Sequence, residues 1–428
     1  MNMKMYQGFN REQLEERMRM MENRFEQHKA QSLKLDMSRG KPSKEQLDLS
    51  DGLFKNITNF ESEDGIDCRN YGVIDGLPEM KRIFAQMLEV DQDELIVGDS
   101  SSLNMMYDVI ARAYNHGLMN AEPWSRLDKI KFLCPCPGYD RHFAICELFG
   151  IEMITIPMNE DGPDMDMVEA LVAEDRSIKG IWCVPKYSNP TGIIYSDEVV
   201  KRLAHMRTKA NDFRVFWDNA YCVHHLYEEN SLLNILAECK KAGNADRVFM
   251  FASTAKISYA GAGVAAMAAS RDNIRHTLGQ IAIQTINPNK VNHLLHARFF
   301  KDLDGIKEHM KKHAAILRPK FETVTSILKK NLENLNIAKW TTPRGGYFIS
   351  LDVPEGCARK VVAKAREAGV TLTKAGATFP YGIEPEDKNI RLAPSFPTPA
   401  ELASAIEIVC TCIELVALEK ILLNEVNR

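Results

Sequence analysis

"FMFASTAKISYAGAGVAAMAAS", residues 249–270, holds two apolar runs joined by a segment of small residues that carries one lysine, Lys256. Each run has the length and composition of a buried strand. The joining segment, 254–262, is too short for a helical crossover. The second strand is therefore expected to run antiparallel to the first. Lysine is costly to bury, so its position between two buried strands asks for a chemical reason.

Five similar runs precede this pair: "ELIVGD" (94–99), "KIKFLCP" (129–135), "IEMITIP" (151–157), "GIWCVP" (180–185) and "FRVFWD" (213–218). Helical patterns separate them, such as "SSLNMMYDVIARAYNHGL" (101–118) and "SDEVVKRLAHMRTKA" (196–210). Continuous apolar strands alternating with helices predict an α/β fold with a mainly parallel, seven-stranded sheet covered on both faces. Beyond residue 290 the texture changes. One long helical stretch, 290–334, leads to strand candidates "GGYFISLDV" (345–353) and "NIRLAPSF" (389–396), and a helix over 399–424 follows. This predicts a smaller α+β domain. Near the start, Leu14, Met18, Met21 and Phe25 recur at helical spacing over 11–31, and "MSRGKPS" (37–43) reads as a loop. The expected division is 1–50 as a helix and segment joining the small domain, 51–300 as the large ligand-binding domain, and 301–428 as the small domain.

The net charge of −4 offers no nucleic-acid footprint. No apolar run reaches the roughly 18 residues of a membrane span. The first residues are charged and lack a signal-peptide core, so a cytoplasmic protein is expected. The ten cysteines are scattered among apolar positions and read as core residues of a reducing compartment. "CPC" (134–136) and "CTC" (410–412) lack zinc-site spacing, and no metal is expected.

In open parallel sheets, ligands bind beyond the carboxyl ends of the strands. Five segments fall there. Ser100, Ser101 and Ser102 open a helix, where hydroxyls and free N–H groups make either an anion site or an ordinary cap. Tyr139, in "PGYDRHF", is either a surface for a flat ligand or a packing residue. Asn189, in "NPTG", is a ligand contact or a turn residue. Asp218 is a cap or a buried charge that needs a cationic partner. Lys256 is a solvated lysine or a nucleophile toward an aldehyde, with desolvation lowering its pKa. Jointly they describe one ligand: planar, cationic on a ring nitrogen, phosphate-bearing, with an aldehyde that condenses with lysine. Pyridoxal phosphate (PLP) has these properties.

The motifs "SRGKPS", "PGYDRHF", "NPTG", "WDNAY", "STAK…AGAG" and "IRLAPSFP" occur in the order seen in fold-type I PLP enzymes. Together they resemble the class I aminotransferases, in particular the bacterial subgroup Ic aspartate aminotransferases, from about residue 33 onward. The resemblance implies that Lys256 holds PLP and shuttles a proton. It implies that Asp218 pairs with the ring nitrogen, supported by His142, and that Tyr221 and Asn189 hold the phenolic oxygen. Tyr139 would stack on the ring, and Ser101, Ser102 and Ser253 would hold the phosphate, with Ser100 beside them. Tyr71 would reach the phosphate of a neighbouring subunit in a homodimer. Arg391 would clamp the substrate α-carboxylate near Gly40. Two departures stand out. Gly263 and Val264 occupy the place where many relatives carry a phosphate-binding arginine, which leaves Lys290 as a substitute. Ala282 and Ile283 occupy the place of the arginine that reads a second carboxylate, which leaves Arg39, Arg141 and Lys186. The expected activity is ping-pong transfer of an amino group between an amino acid, aspartate or glutamate, and a 2-oxo acid such as 2-oxoglutarate. The rival readings are a PLP-dependent β-lyase, an aminotransferase for a non-acidic amino acid, and a non-catalytic PLP-binding regulator, which the lack of basic excess disfavours.

Overall fold

The fold is that of a computed structural model, which describes residues 6–426. Residues 1–5 and 427–428, the outer ends of the first and third expected segments, lie outside the described residues. The central sheet runs in the order Leu95–Val97, Ala265–Ala268, Val248–Ser253, Arg214–Asp218, Ile178–Cys183, Lys131–Cys136, Glu152–Asn159 and Gly162–Pro163. The strands from Val248–Ser253 to Glu152–Asn159 pair in parallel. Ala265–Ala268 is antiparallel to both neighbours, as its short connection requires. Four adjacent strands are buried at every position, which is why they read as unbroken apolar runs rather than alternating ones. The sheet has eight strands rather than the expected seven. The extra one, Gly162–Pro163, is a two-residue hairpin return against Met158 and Asn159, too short to leave an apolar run.

The helical stretch beginning at 290 divides into Lys290–Phe300 and Leu303–Leu332. Lys301 takes a positive φ between them, and the Asp302 side chain caps the second helix at the Gly305 N–H. The second helix carries residues of two cores. Ile306 and Met310 pack with the sheet and its outer helices, whereas Leu317, Phe321, Val324 and Leu328 pack with the C-terminal elements. Those elements include an antiparallel sheet of Lys339–Trp340, Ile349–Asp352 and Asn389–Leu392, with helix Pro399–Val426. Helix Arg11–Ala30 joins the same core through Leu14, Met21 and Phe25, with Met18 half-buried. Leu35–Asp36 adds a parallel pairing with Val370–Thr371.

All ten cysteines are buried and unpaired. Among the described residues, no helix is long and apolar enough to cross a membrane, and no group of three or more metal-ligating side chains occurs.

Candidate active site

Beyond the carboxyl ends of the parallel strands lies a cavity of about 660 Å³. The large domain supplies Ser101, Ser102, Tyr139, Asn189, Asp218, Tyr221, Ser253 and Lys256. Gly40 of the "SRGKPS" loop and Arg391 of strand Asn389–Leu392 close the other side.

Asp218 ends its strand and is buried. Its Oδ2 lies 3.0 Å from His142 Nε2. The His142 ring is in turn stacked on Trp182, with centroids 4.4 Å apart and planes 10° from parallel, while Tyr139 meets it edge-on at 4.9 Å. The other carboxylate oxygen, Oδ1, is buried without a hydrogen-bond partner. Leaving such an acceptor unmet costs about 1–3 kcal/mol. A protonated ring nitrogen is the donor that this orphaned oxygen fits, so the residues present suit PLP.

Lys256 lies in the turn after strand Val248–Ser253, with Nζ 5.3 Å from the centroid of the Tyr221 ring. Burial pushes its pKa down, and the Asp218 charge opposes this in part. Burial also raises the Tyr221 phenol well above its usual range. It raises that of Tyr139 to about 12, helped by Asp218. The lysine backbone is pinned from below. The Lys256 carbonyl faces His224 Nε2 at 3.3 Å and accepts from the Tyr347 hydroxyl at 3.5 Å. His309 Nε2 approaches the Ile257 carbonyl at 2.9 Å. Gln46 Nε2 donates to the Tyr347 hydroxyl at 2.8 Å and lies 3.0 Å from His313 Nδ1. The reactive turn thereby hangs on side chains from four distant segments.

Ser101 is the N-cap of helix Ser102–His116, and its side chain makes no capping bond. Ser101 and Ser102, at the N-terminus of that helix, line the cavity with Ser253, a combination of hydroxyls and helix-end N–H groups suited to phosphate. Ser100 does not join them. It lies in the bend before the helix and lines a separate cavity with Gly263 and Asn289. Lys290 is also committed elsewhere. Its buried Nζ donates to the Asn70 and Gly72 carbonyls at 2.5 and 2.8 Å. It thereby organises the loop that carries Tyr71, which is 77% exposed and outside the cavity. At Gly263, a Cβ would come 3.0 Å from Ala255 Cα and 3.1 Å from the Ser100 carbonyl. No side chain fits there without a shift.

Arg391 is buried and reaches back to the large domain. Nη1 donates to Asp140 Oδ1 at 2.8 Å and to Asn189 Oδ1 at 3.3 Å, and Nε to Thr373 Oγ1 at 3.4 Å. The guanidinium lies 4.9 Å from the centroid of the Phe348 ring. That ring also explains Gly40, where a Cβ would come within 2.7 Å of Phe348 Cε1. Arg39 and Arg141 are exposed at the cavity rim. Lys186 is not near them. Its buried Nζ donates to the Cys222 carbonyl at 3.0 Å, within a different cavity of about 730 Å³. Thr373, Phe348 and Trp182 carry no local sequence signal. Asp140 is visible within "PGYDRHF", but its partner lies 251 positions away.

A family model described as aspartate amino-transferase matches residues 9–425. The chain is 49% identical over 400 residues to an aspartate aminotransferase of Corynebacterium glutamicum, covering 92% of each. It superposes on the crystal structure of an aspartate transaminase from the same species with TM-score 0.95 and 48% identity, over 97% of this chain and 98% of that one. A more distant likeness, of fold alone, is to an α-aminoadipate aminotransferase from Thermus thermophilus complexed with N-(5'-phosphopyridoxyl)-L-leucine. There the TM-score is 0.72 at 20% identity, over 90% and 93% of the two chains.

Proposed function

The chain belongs to the aspartate amino-transferase family, and on that premise we propose that this PLP-dependent aminotransferase takes aspartate or glutamate as amino donor and a 2-oxo acid such as 2-oxoglutarate as acceptor. The observation that carries this reading is the convergence of Lys256, Asp218 and Arg391 on one cavity. A nucleophilic amine, a buried carboxylate with an orphaned oxygen and a guanidinium are what an amino acid and PLP together require.

When bound, PLP supplies an electron sink for bond breaking at the substrate Cα and carries the amino group between substrates. Lys256 would hold its aldehyde, and the Lys256 amine, its pKa lowered by burial, would move the substrate Cα proton. Asp218 would keep the ring nitrogen protonated, with His142 fixing the Asp218 carboxylate. Tyr221 and Asn189 would orient the phenolic oxygen. Tyr139 would cover the ring and exclude water. Ser101, Ser102 and Ser253 would hold the phosphate. Arg391 takes the α-carboxylate through a planar fork, next to Gly40. Of the exposed cations that line the cavity, Arg39, Lys41, Arg141 and Lys374, the planar guanidinium groups of Arg39 and Arg141 read the second carboxylate. Two such chains form a homodimer in the cytoplasm, with Tyr71 serving the phosphate of the partner subunit.

The test is a panel of amino acids incubated with the holoenzyme and 2-oxoglutarate. Aspartate should yield its 2-oxo acid and glutamate without release of ammonia, with alanine a far poorer donor. Arg39→Ala and Arg141→Ala should each be compared for the ratio of kcat/KM on aspartate to that on alanine. If neither changes the ratio, the second-carboxylate assignment is wrong. Ammonia release with any donor would instead mark a lyase.

A further inference from the structure

Arg391 already holds a carboxylate. Asp140 Oδ1 lies 2.8 Å from its Nη1, and among the described residues no other acidic side chain makes an ion pair with this guanidinium. The Arg391 side chain is 7% exposed, whereas that of Asp140 is 37% exposed. The two therefore differ in what they can do. The guanidinium is fixed by Thr373, Asn189 and the Phe348 face. Asp140 is the first residue of helix Asp140–Leu148 and follows Tyr139, itself a lining residue of the cavity. A change of its side-chain rotamer carries its charge from the cavity to solvent without moving the helix. There it remains beside the helix N-terminus, where a negative charge is favoured.

We propose that Asp140 is an internal competitor for the substrate carboxylate and sets the affinity of the Arg391 clamp. This rests on the reading of Arg391 as that clamp. A ligand carboxylate seated on the same Nη1 edge would touch the Asp140 carboxylate, and two like charges in a partly desolvated cavity repel strongly. Binding is therefore an exchange. One carboxylate arrives, one leaves to solvent, and the charge at Arg391 stays balanced throughout. Two consequences follow. The guanidinium is never left buried and unpaired when substrate is absent, a state that would be costly. Small anions offering only a carboxylate gain little, since they replace a contact already made. A substrate displaces Asp140 by virtue of its other contacts, those of its amine and side chain. Asp140 thus weakens the binding of every carboxylate ligand, substrate and product alike.

The measurement is the dissociation constant of the PLP-loaded holoenzyme for acetate and for succinate, neither of which has an amine to react. Titration calorimetry reads binding without turnover. Asp140→Asn keeps the size and the Oδ1 acceptor but removes the charge. It should bind both ligands at least about fivefold more tightly than the wild type, and Asp140→Glu should return most of the way. KM for the amino and oxo acids should fall together in Asp140→Asn. Unchanged or weaker binding in Asp140→Asn would overturn the proposal, because it would make the carboxylate a fixed support for Arg391. Asp140→Ala guards against a special effect of the amide and should also bind more tightly. Arg391→Lys is the separate control. If it binds succinate as well as the wild type does, the clamp assignment fails. If it binds poorly while Asp140→Asn is not improved, the competitor idea alone fails.

Discussion

At the scale of single residues, two side chains carry the sharpest expectations. Borohydride reduction of the holoenzyme should fix the cofactor covalently on Lys256, as read by peptide mass. Lys256→Ala should show no such adduct and lose turnover; normal turnover in that variant would refute the assignment. Asp218 has a different task. Its orphaned Oδ1 is worth most when it faces a cation in a site closed to water. Asp218→Ala should therefore cost more than about tenfold in kcat, roughly 1.4 kcal/mol of barrier, and steady-state kinetics on purified holoenzyme decides it. These two were legible in the sequence because the chemistry leaves few substitutes: a lone lysine among small residues, and an aspartate ending an apolar run. Ser100 and Lys186 also follow apolar runs. Both lie in bends just past their strands, and a single sequence does not say which way a bend turns its side chains.

Among the elements, the segment that follows Lys256 leaves little room for a side chain at Gly263. Gly263 packs against Ala255 and the Ser100 carbonyl on one side. Asn292 Nδ2 donates to the Ala262 and Gly263 carbonyls at 3.0 Å. Gly263→Arg, at one of the two positions where the family resemblance leads one to expect an arginine, should destabilise by about 1–3 kcal/mol through overpacking, measured by urea unfolding of the holoenzyme. An unchanged midpoint would show that the segment yields freely. The strands of the large sheet could be read from sequence because strands buried on both faces are uniformly apolar. The connection of Gln46, Tyr347 and His313 to the lysine turn could not, since Gln46 meets His313 and Tyr347 across 267 and 301 positions and Tyr347 meets Lys256 across 91. The break at Lys301 was hidden for another reason: the helical pattern runs on through Asp302, which is itself a cap.

For the whole molecule, the pattern of buried histidines predicts sensitivity to acid. An ordinary histidine takes a proton near pH 6.5. Burial lowers His225, His293, His296 and His313 to about 4. The unfolded chain therefore binds more protons than the native one between those values, and stability must fall as pH drops from 6.5 towards 4. The urea midpoint of the holoenzyme should be lower at pH 5 than at pH 7, with a net uptake of protons on unfolding. A midpoint that rose towards pH 5 would refute this. The exposure of Tyr71 at 77% and Ile283 at 89% agrees with the proposed homodimer, and sedimentation at working concentration should give twice the chain mass. A fully active monomer would exclude it. Helix Arg11–Ala30 and the residues before it are tied to the far end of the chain. Tyr6 donates to Glu414, 408 positions onward, and Arg17 donates to the same carboxylate. On a ribosome adding roughly 5–20 residues per second, the apolar stripe of that helix has no native cover until helix Pro399–Val426 has been made. For tens of seconds the nascent chain displays Leu14, Met21 and Phe25, an opening for a chaperone.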